Sequence, residues 1–277
     1  MYQRIFVFTT DRLRTEIVRP ARTRAVGSCC RSTVFLDNYY AENHALFIDI
    51  PSTSHYISTS SCSEYSGSHG MNIAVFASGR GSNFQAILSA IDAGLIPARV
   101  VFLISSKSDA GAMGIAHAHN IPAQHLSQKM FPSETNFADA ILEVLEQHRA
   151  DFIVLAGYLK KVPAEVIRQY RNRIVNIHPA LLPSFGGAGM YGHHVHEAVL
   201  ASGEKVSGAT VHVVDEEYDR GPIVLQKTVD VSPVDTPDSL AAKVLKIEHE
   251  IFPLALKAFA EGRVRIEGRN AWITSSC

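Results

Sequence analysis

Asn176 and His178 stand two residues apart in the run Asn176-Ile177-His178-Pro179-Ala180-Leu181-Leu182-Pro183-Ser184-Phe185, and Asp219-Arg220-Gly221-Pro222 follows further along the chain. A carboxamide, an imidazole and a carboxylate are the groups that acyl transfer to an amine requires. The amide N–H of Asn176 and a protonated His178 can stabilise a carbonyl oxygen as it becomes negative, and one such donor lowers a barrier by roughly 3 to 4 kcal/mol. Asp219 can orient His178, favour its cationic form and accept the amine proton through water. At the end of an extended strand, residues two apart project from one face, so both side chains can address one carbonyl. Pro179 and Pro183 prevent a helix there and predict an irregular loop.

A second constellation is Ser78-Gly79-Arg80-Gly81-Ser82-Asn83. It follows an apolar run and precedes a helical pattern, which aims backbone N–H groups at an anion such as a phosphate. Position 84 is Phe where the dinucleotide fingerprint has its third glycine, which argues against a nicotinamide cofactor. The competing reading is a plain strand-to-helix turn with Ser82 or Asn83 as N-cap. Histidines 193, 194 and 196 invite a metal reading, but 193 and 194 point apart and neither a cysteine nor a Glu-x-x-His pattern accompanies them, so no metal is expected. Leu159-Lys160-Lys161-Val162 follows the apolar Leu155-Ala156-Gly157-Tyr158, at the edge where α/β sheets bind ligands; a solvated helix start would also explain the lysines.

These groups need a scaffold, and from Met71 onward apolar runs alternate with helical patterns. Strands are predicted at 73–77, 100–105, 152–156 and 174–177, and helices at 83–93, 112–119, 136–148 and 163–170. This alternation predicts an α/β fold with a doubly wound, mostly parallel sheet. A helix at 194–201 then precedes runs at 209–214 and 223–229, close enough to extend the sheet antiparallel. Thr236-Pro237-Asp238 opens a long C-terminal helix running to about Gly262, with Thr as N-cap and Pro in the first turn.

The chain has 277 residues, a net charge of −1 and 46% hydrophobic residues. The balanced charge lacks the basic footprint of a nucleic-acid partner, and no window approaches the roughly 18 apolar residues of a membrane span. Cytoplasmic residence is the default expectation. Residues 1–70 show no sustained period and contain a Ser-rich tract, which predicts a disordered segment or an extension upstream of a start at Met71; residues 71–273 would form the working domain. The alternative is a genuine tail or targeting segment, against which Asp11, Glu16 and Asp37 argue. Cys29, Cys30, Cys62 and Cys277 all lie outside that domain, which leaves it no thiol nucleophile.

Taken together, the Gly-rich turn, Leu155 to Tyr158, the Asn/His loop and Asp219 to Pro222 resemble the signature of the folate-dependent formyltransferases, over almost all of the chain after residue 70. The resemblance implies a Rossmann-like formyltransferase fold. It implies transfer of formyl from 10-formyltetrahydrofolate, a co-substrate, to the amine of glycinamide ribonucleotide in purine biosynthesis, with Asn176, His178 and Asp219 catalytic. Gly81, Ser82 and Asn83 would seat the substrate phosphate, Glu248 the ribonucleotide, and His194 would hydrogen-bond substrate. Leu159, Lys160, Lys161, Val162, Asn176 and Asp215 would frame the folate. Two departures stand out: Glu134 replaces a folate-binding Arg after Ser133, and Gly186 to Gly192 is longer than the common loop. Among alternatives, a methionyl-tRNA formyltransferase would need an added RNA-binding domain. A formyltetrahydrofolate deformylase would have no use for the phosphate cradle, and a nucleotide-binding module without chemistry would not depend on Asn176, His178 or Asp219.

Overall fold

The computed structural model describes residues 70–275. The expectation for the N-terminal segment and all four cysteines lie outside the described residues.

Strand β1 (Met71–Ala77) is buried on both sides. Ile73, Val75 and Ala77 belong to one apolar cluster, and Ala74 and Phe76 to the other. That is how a strand covered by helices on both faces reads: a continuous apolar run whose alternate residues feed two cores. The elements that follow are α1 (Ser82–Asp92), β2 (Ala98–Ser105), α2 (Gly111–Ala118), β3 (Ala123–His125), α3 (Glu134–Gln147), β4 (Phe152–Leu155), α4 (Ala164–Gln169) and β5 (Ile174–His178). After them come α5 (His193–Ser202), β6 (Val206–Val213), β7 (Ile223–Asp230), α6 (Pro237–Ala260), β8 (Val264–Glu267) and β9 (Asn270–Ile273).

The seven-stranded sheet has the order β3-β2-β1-β4-β5-β6-β7. Strands β1 to β5 pair in parallel, and β6 and β7 add antiparallel, as the sequence pattern predicts. Helices α1, α2, α5 and α6 supply Phe84, Ile87, Ala112, Val199, Leu240 and Phe252 to one core. Helices α3 and α4 supply Phe137, Ile141, Leu145, Val166 and Ile167 to the other. Sequence order reverses between β1 and β4, so the loops after these two strands open a crevice at their C-terminal ends.

Several local expectations are corrected. Helix α1 is capped by neither Ser82 nor Asn83 as N-cap: Gly81 takes that place at φ 84°, without a side-chain cap. A Cβ there would lie 2.9 Å from Ala112 Cα, so only glycine lets α2 pack against the turn. Strand β6 begins at Val206, three residues before the predicted run, because Ser207-Gly208 reads as a break although both pair with β7. The β8/β9 hairpin is absent from the sequence reading; its four-residue strands alternate exposed and half-buried positions and bury too little to leave a strong pattern. Helix α6 meets expectation. Thr236 accepts the Ser239 N–H and Ser239 accepts the Thr236 N–H, a reciprocal box with serine in place of the usual Glu or Gln.

Candidate active site

β5 ends at the crevice and delivers Asn176 and His178 side by side, as the two-residue period requires. Its antiparallel partner β6 sets His212 opposite Asn176 and Thr210 opposite His178. Asn176 Nδ2 lies 3.1 Å from His212 Nε2. His212 Nδ1 lies 2.9 Å from the Val213 carbonyl, which can only accept, so Nδ1 carries a proton. Nε2 meets one N–H of the Asn176 carboxamide. The second N–H of the carboxamide stays free for a ligand.

His178 Nε2 donates to the Phe185 carbonyl at 2.8 Å, which turns Nδ1 toward Asp219. That separation is 3.7 Å to Oδ2, and Oδ1 of the same carboxylate lies 3.5 Å from His212 Nε2. A third partner fixes the acid, since the Gly187 N–H donates to Oδ2 at 2.9 Å. Burial pulls the His178 pKa down, and the attraction of Asp219 only partly offsets it. Asp219 thus favours the cationic form, as expected, but burial outweighs it and the free site holds the imidazole neutral. Burial pushes the Asp219 pKa up, but contact with the His212 ring, the attraction of His178 once that ring is protonated and the Gly187 amide together leave it below the ordinary aspartate value.

The loops are held in unusual conformations. Asp219 and Phe185 adopt φ of 54° and 55°, a region that costs a non-glycine residue about 1 to 3 kcal/mol. In Asp219-Arg220-Gly221-Pro222 a Cβ on Gly221 would come within 1.8 Å of the Val213 carbonyl oxygen, so glycine permits the turn that carries the acid. Thr210, fully buried, ties down the Pro-rich loop: its hydroxyl donates to the Ala180 carbonyl at 2.6 Å and accepts the Leu182 N–H at 3.1 Å.

A cavity of about 200 Å³ opens beside these groups. Asn176, His178 and Asp219 line it together with Leu159, Lys160, Lys161, Val162 and Asp215. Lys160 and Lys161 precede α4, so they are not its solvated first turn. Lys161 Nζ stands 5.8 Å from the Tyr218 ring centroid, bringing the two lips of the cavity together.

Gly81, Ser82, Asn83 and Glu248 are not in that lining. They gather separately where α1 meets α6: Asn83 Nδ2 donates to Glu248 Oε2 at 2.6 Å, and the buried Asn83 Oδ1 has no partner. Burial raises the Glu248 pKa, with the Asn83 hydrogen bond opposing.

His194 departs from its expected contact. Its ring sits in the first turn of α5, 64% exposed, with Nδ1 3.2 Å from Glu197 Oε2. Helical spacing explains this, because a residue three along lies on the same face. Its ring meets the cavity-lining Tyr191 edge-on, ring centroids 5.7 Å apart. Among the described residues, no cluster of three or more His, Cys, Asp or Glu is arranged to hold a metal ion.

Sequence reasoning missed His212 and Thr210. The usable signal was two polar residues in the otherwise apolar Ala209-Thr210-Val211-His212-Val213, both on the face that Asn176 and His178 share.

The formyl transferase family model matches residues 71–256. The chain is 43% identical over 194 residues to the chloroplastic phosphoribosylglycinamide formyltransferase of Arabidopsis thaliana, covering 70% of this chain and 66% of that protein. It thus spans slightly under two thirds of that plant relative's length. It is 37% identical over 201 residues to the phosphoribosylglycinamide formyltransferase of Haemophilus influenzae, covering 73% of this chain and 92% of that protein. Among solved structures, glycinamide ribonucleotide transformylase 1 from Symbiobacterium toebii superposes with a TM-score of 0.71 at 40% identity, over 76% of this chain and 96% of that one.

Proposed function

Since the chain belongs to the formyl transferase family, we propose that it transfers formyl from 10-formyltetrahydrofolate to the amine of glycinamide ribonucleotide, a step of purine biosynthesis. The observation that carries this is the convergence of Asn176, His178 and Asp219 on one cavity mouth, with His178 Nδ1 3.7 Å from Asp219.

The amine attacks the formyl carbon and the carbonyl oxygen becomes an oxyanion. The free N–H of Asn176 donates to it. His178 Nδ1 takes up the proton that leaves the attacking amine, relayed by way of water and Asp219, so the imidazolium stands between the oxyanion and the carboxylate of Asp219. Because the ring is neutral beforehand, the interaction strengthens toward the transition state, which is what accelerates a reaction. Asp219, held ionised by its contacts, accepts the amine proton through water. The intermediate then collapses as that proton passes to the folate nitrogen, which leaves as the neutral amine of tetrahydrofolate.

Leu159, Lys160, Lys161, Val162 and Asp215 frame the folate in this reading. Gly81, Ser82 and Asn83 seat the phosphate, and Glu248 accepts from the ribose. Contact of His194 with substrate would require its ring to leave Glu197. Residues 71–273 are the catalytic domain and residues 1–70 are dispensable to it, consistent with the family match beginning at residue 71. Cytoplasmic residence belongs to the same proposal; fractionation of cells expressing the chain from Met1 tests it, and recovery in an organelle would overturn it. Among the described residues no helix is long and apolar enough to cross a membrane.

Purified protein given 10-formyltetrahydrofolate should release tetrahydrofolate only when glycinamide ribonucleotide is present. Release without the acceptor would favour a deformylase, and binding without turnover a nucleotide-binding module.

A further inference from the structure

We infer that the Ser78 hydroxyl is a positioning residue that couples the two substrate sites, an inference that rests on the two-substrate reading above.

Ser78 immediately follows β1 and immediately precedes Gly79-Arg80-Gly81, the proposed phosphate turn. Its hydroxyl is bonded instead to the segments that follow β4 and β2. Only 2% of the residue is exposed, and its Oγ accepts the Leu159 N–H at 2.9 Å. Leu159 lines the cavity assigned to the folate. The same Oγ shares a hydrogen bond with Ser106 Oγ, 2.7 Å away and also buried, in which either hydroxyl can donate. Backbone bonds run parallel to this chain of hydroxyls: the Ser78 N–H donates to Gly157 O at 3.0 Å, and the Ser106 N–H to Ala77 O at 3.2 Å.

Topology explains why the role falls to this position. β1 lies between β2 and β4, and the strand order reverses beside it. A side chain at its C-terminal end is therefore adjacent to the ends of both neighbours. Ser78 latches the turn after β4, which frames one substrate, to the turn after β1, which seats the other. Ordering either turn orders its neighbour through the Ser78–Leu159 bond, so a ligand that rigidifies one turn lowers the cost of binding at the other.

Coupling is measured by titrating a folate analogue that cannot transfer formyl into the full chain, with and without saturating glycinamide ribonucleotide. The wild type should bind the analogue about 5-fold or more tightly with the ribonucleotide present. In Ser78→Ala that ratio should fall below about 2, while ribonucleotide affinity in the absence of analogue changes by less than about 2-fold. Ser106→Ala leaves the Leu159 contact and removes only the hydroxyl partner of Ser78; it should give an intermediate ratio, and it supplies the reading if Ser78→Ala does not fold. A wild-type ratio near one, or a wild-type ratio retained in the folded variants, overturns the coupling while acceptor-dependent formyl transfer stands. A wild type that makes no formylated ribonucleotide overturns the functional reading and this inference with it.

Discussion

At the residue scale the site works by controlling where charge appears. His178 is buried to 3% exposure and kept neutral, yet its Nδ1 faces a carboxylate that would welcome a proton. Asn176 is turned by His212, so its orientation is set from β6 rather than by its own strand. In Asn176→Ala, kcat should drop by about two to three orders of magnitude with folding intact, as loss of one oxyanion donor does elsewhere. Asp219→Asn should lower kcat by a similar amount; unchanged turnover in that folded variant would contradict its place in proton transfer. For His212→Ala the expected loss in kcat is about tenfold with KM altered by less than about twofold, the effect of releasing one orienting hydrogen bond. A change confined to KM would show that His212 serves binding instead.

At the scale of elements, function depends on chain reversals that few residues tolerate. Gly81 is both left-handed and pressed against α2. Gly81→Ala should destabilise the domain by at least about 1 kcal/mol and weaken binding of the phosphorylated substrate, because Ala must move α2 away from the turn or distort the turn itself. Chemical denaturation beside a substrate titration checks both effects, and a variant as stable and as tight-binding as the wild type would refute the packing argument. The long α6 is anchored differently, by the reciprocal Thr236 and Ser239 bonds that complete its first turn.

At the scale of the whole molecule, the buried histidines make stability a function of pH. His196 is 5% exposed, and burial, aided by repulsion from His193 and from His178 when those rings are protonated, pulls its pKa from 6.5 down to about 4. Between those values the unfolded chain binds a proton that the folded chain does not, so stability rises with pH through this window and falls on acidification. One such group contributes a slope of roughly 1.4 kcal/mol per pH unit, and His178 adds in the same direction. Denaturation midpoints should decline from pH 7 to 5, and His196→Gln should flatten that decline. A slope unaltered in the variant would place the titrating group elsewhere. A chain beginning at Met71 should retain full formyl-transfer activity, since the family match and both cores lie beyond that point.

Much of this was legible in the residues themselves. Strands covered on both faces announce themselves as unbroken apolar runs, amphipathic helices as 3.6-residue periods, and Asn176, His178 and Asp219 as polar groups whose types and spacing point to one shared site, where the structure gathers them. Local chemistry decides such features, so local sequence carries them. What needed the tertiary structure were relations between strands adjacent in space but remote in the chain: His212 opposite Asn176, Thr210 holding the Pro-rich loop, and Ser78 reaching both Leu159 and Ser106. The protonation state of His178 is of the same kind. Its pKa is set by how much water the surrounding loops exclude and by a carboxylate brought from another segment, and neither is a property of the histidine's own neighbours in sequence.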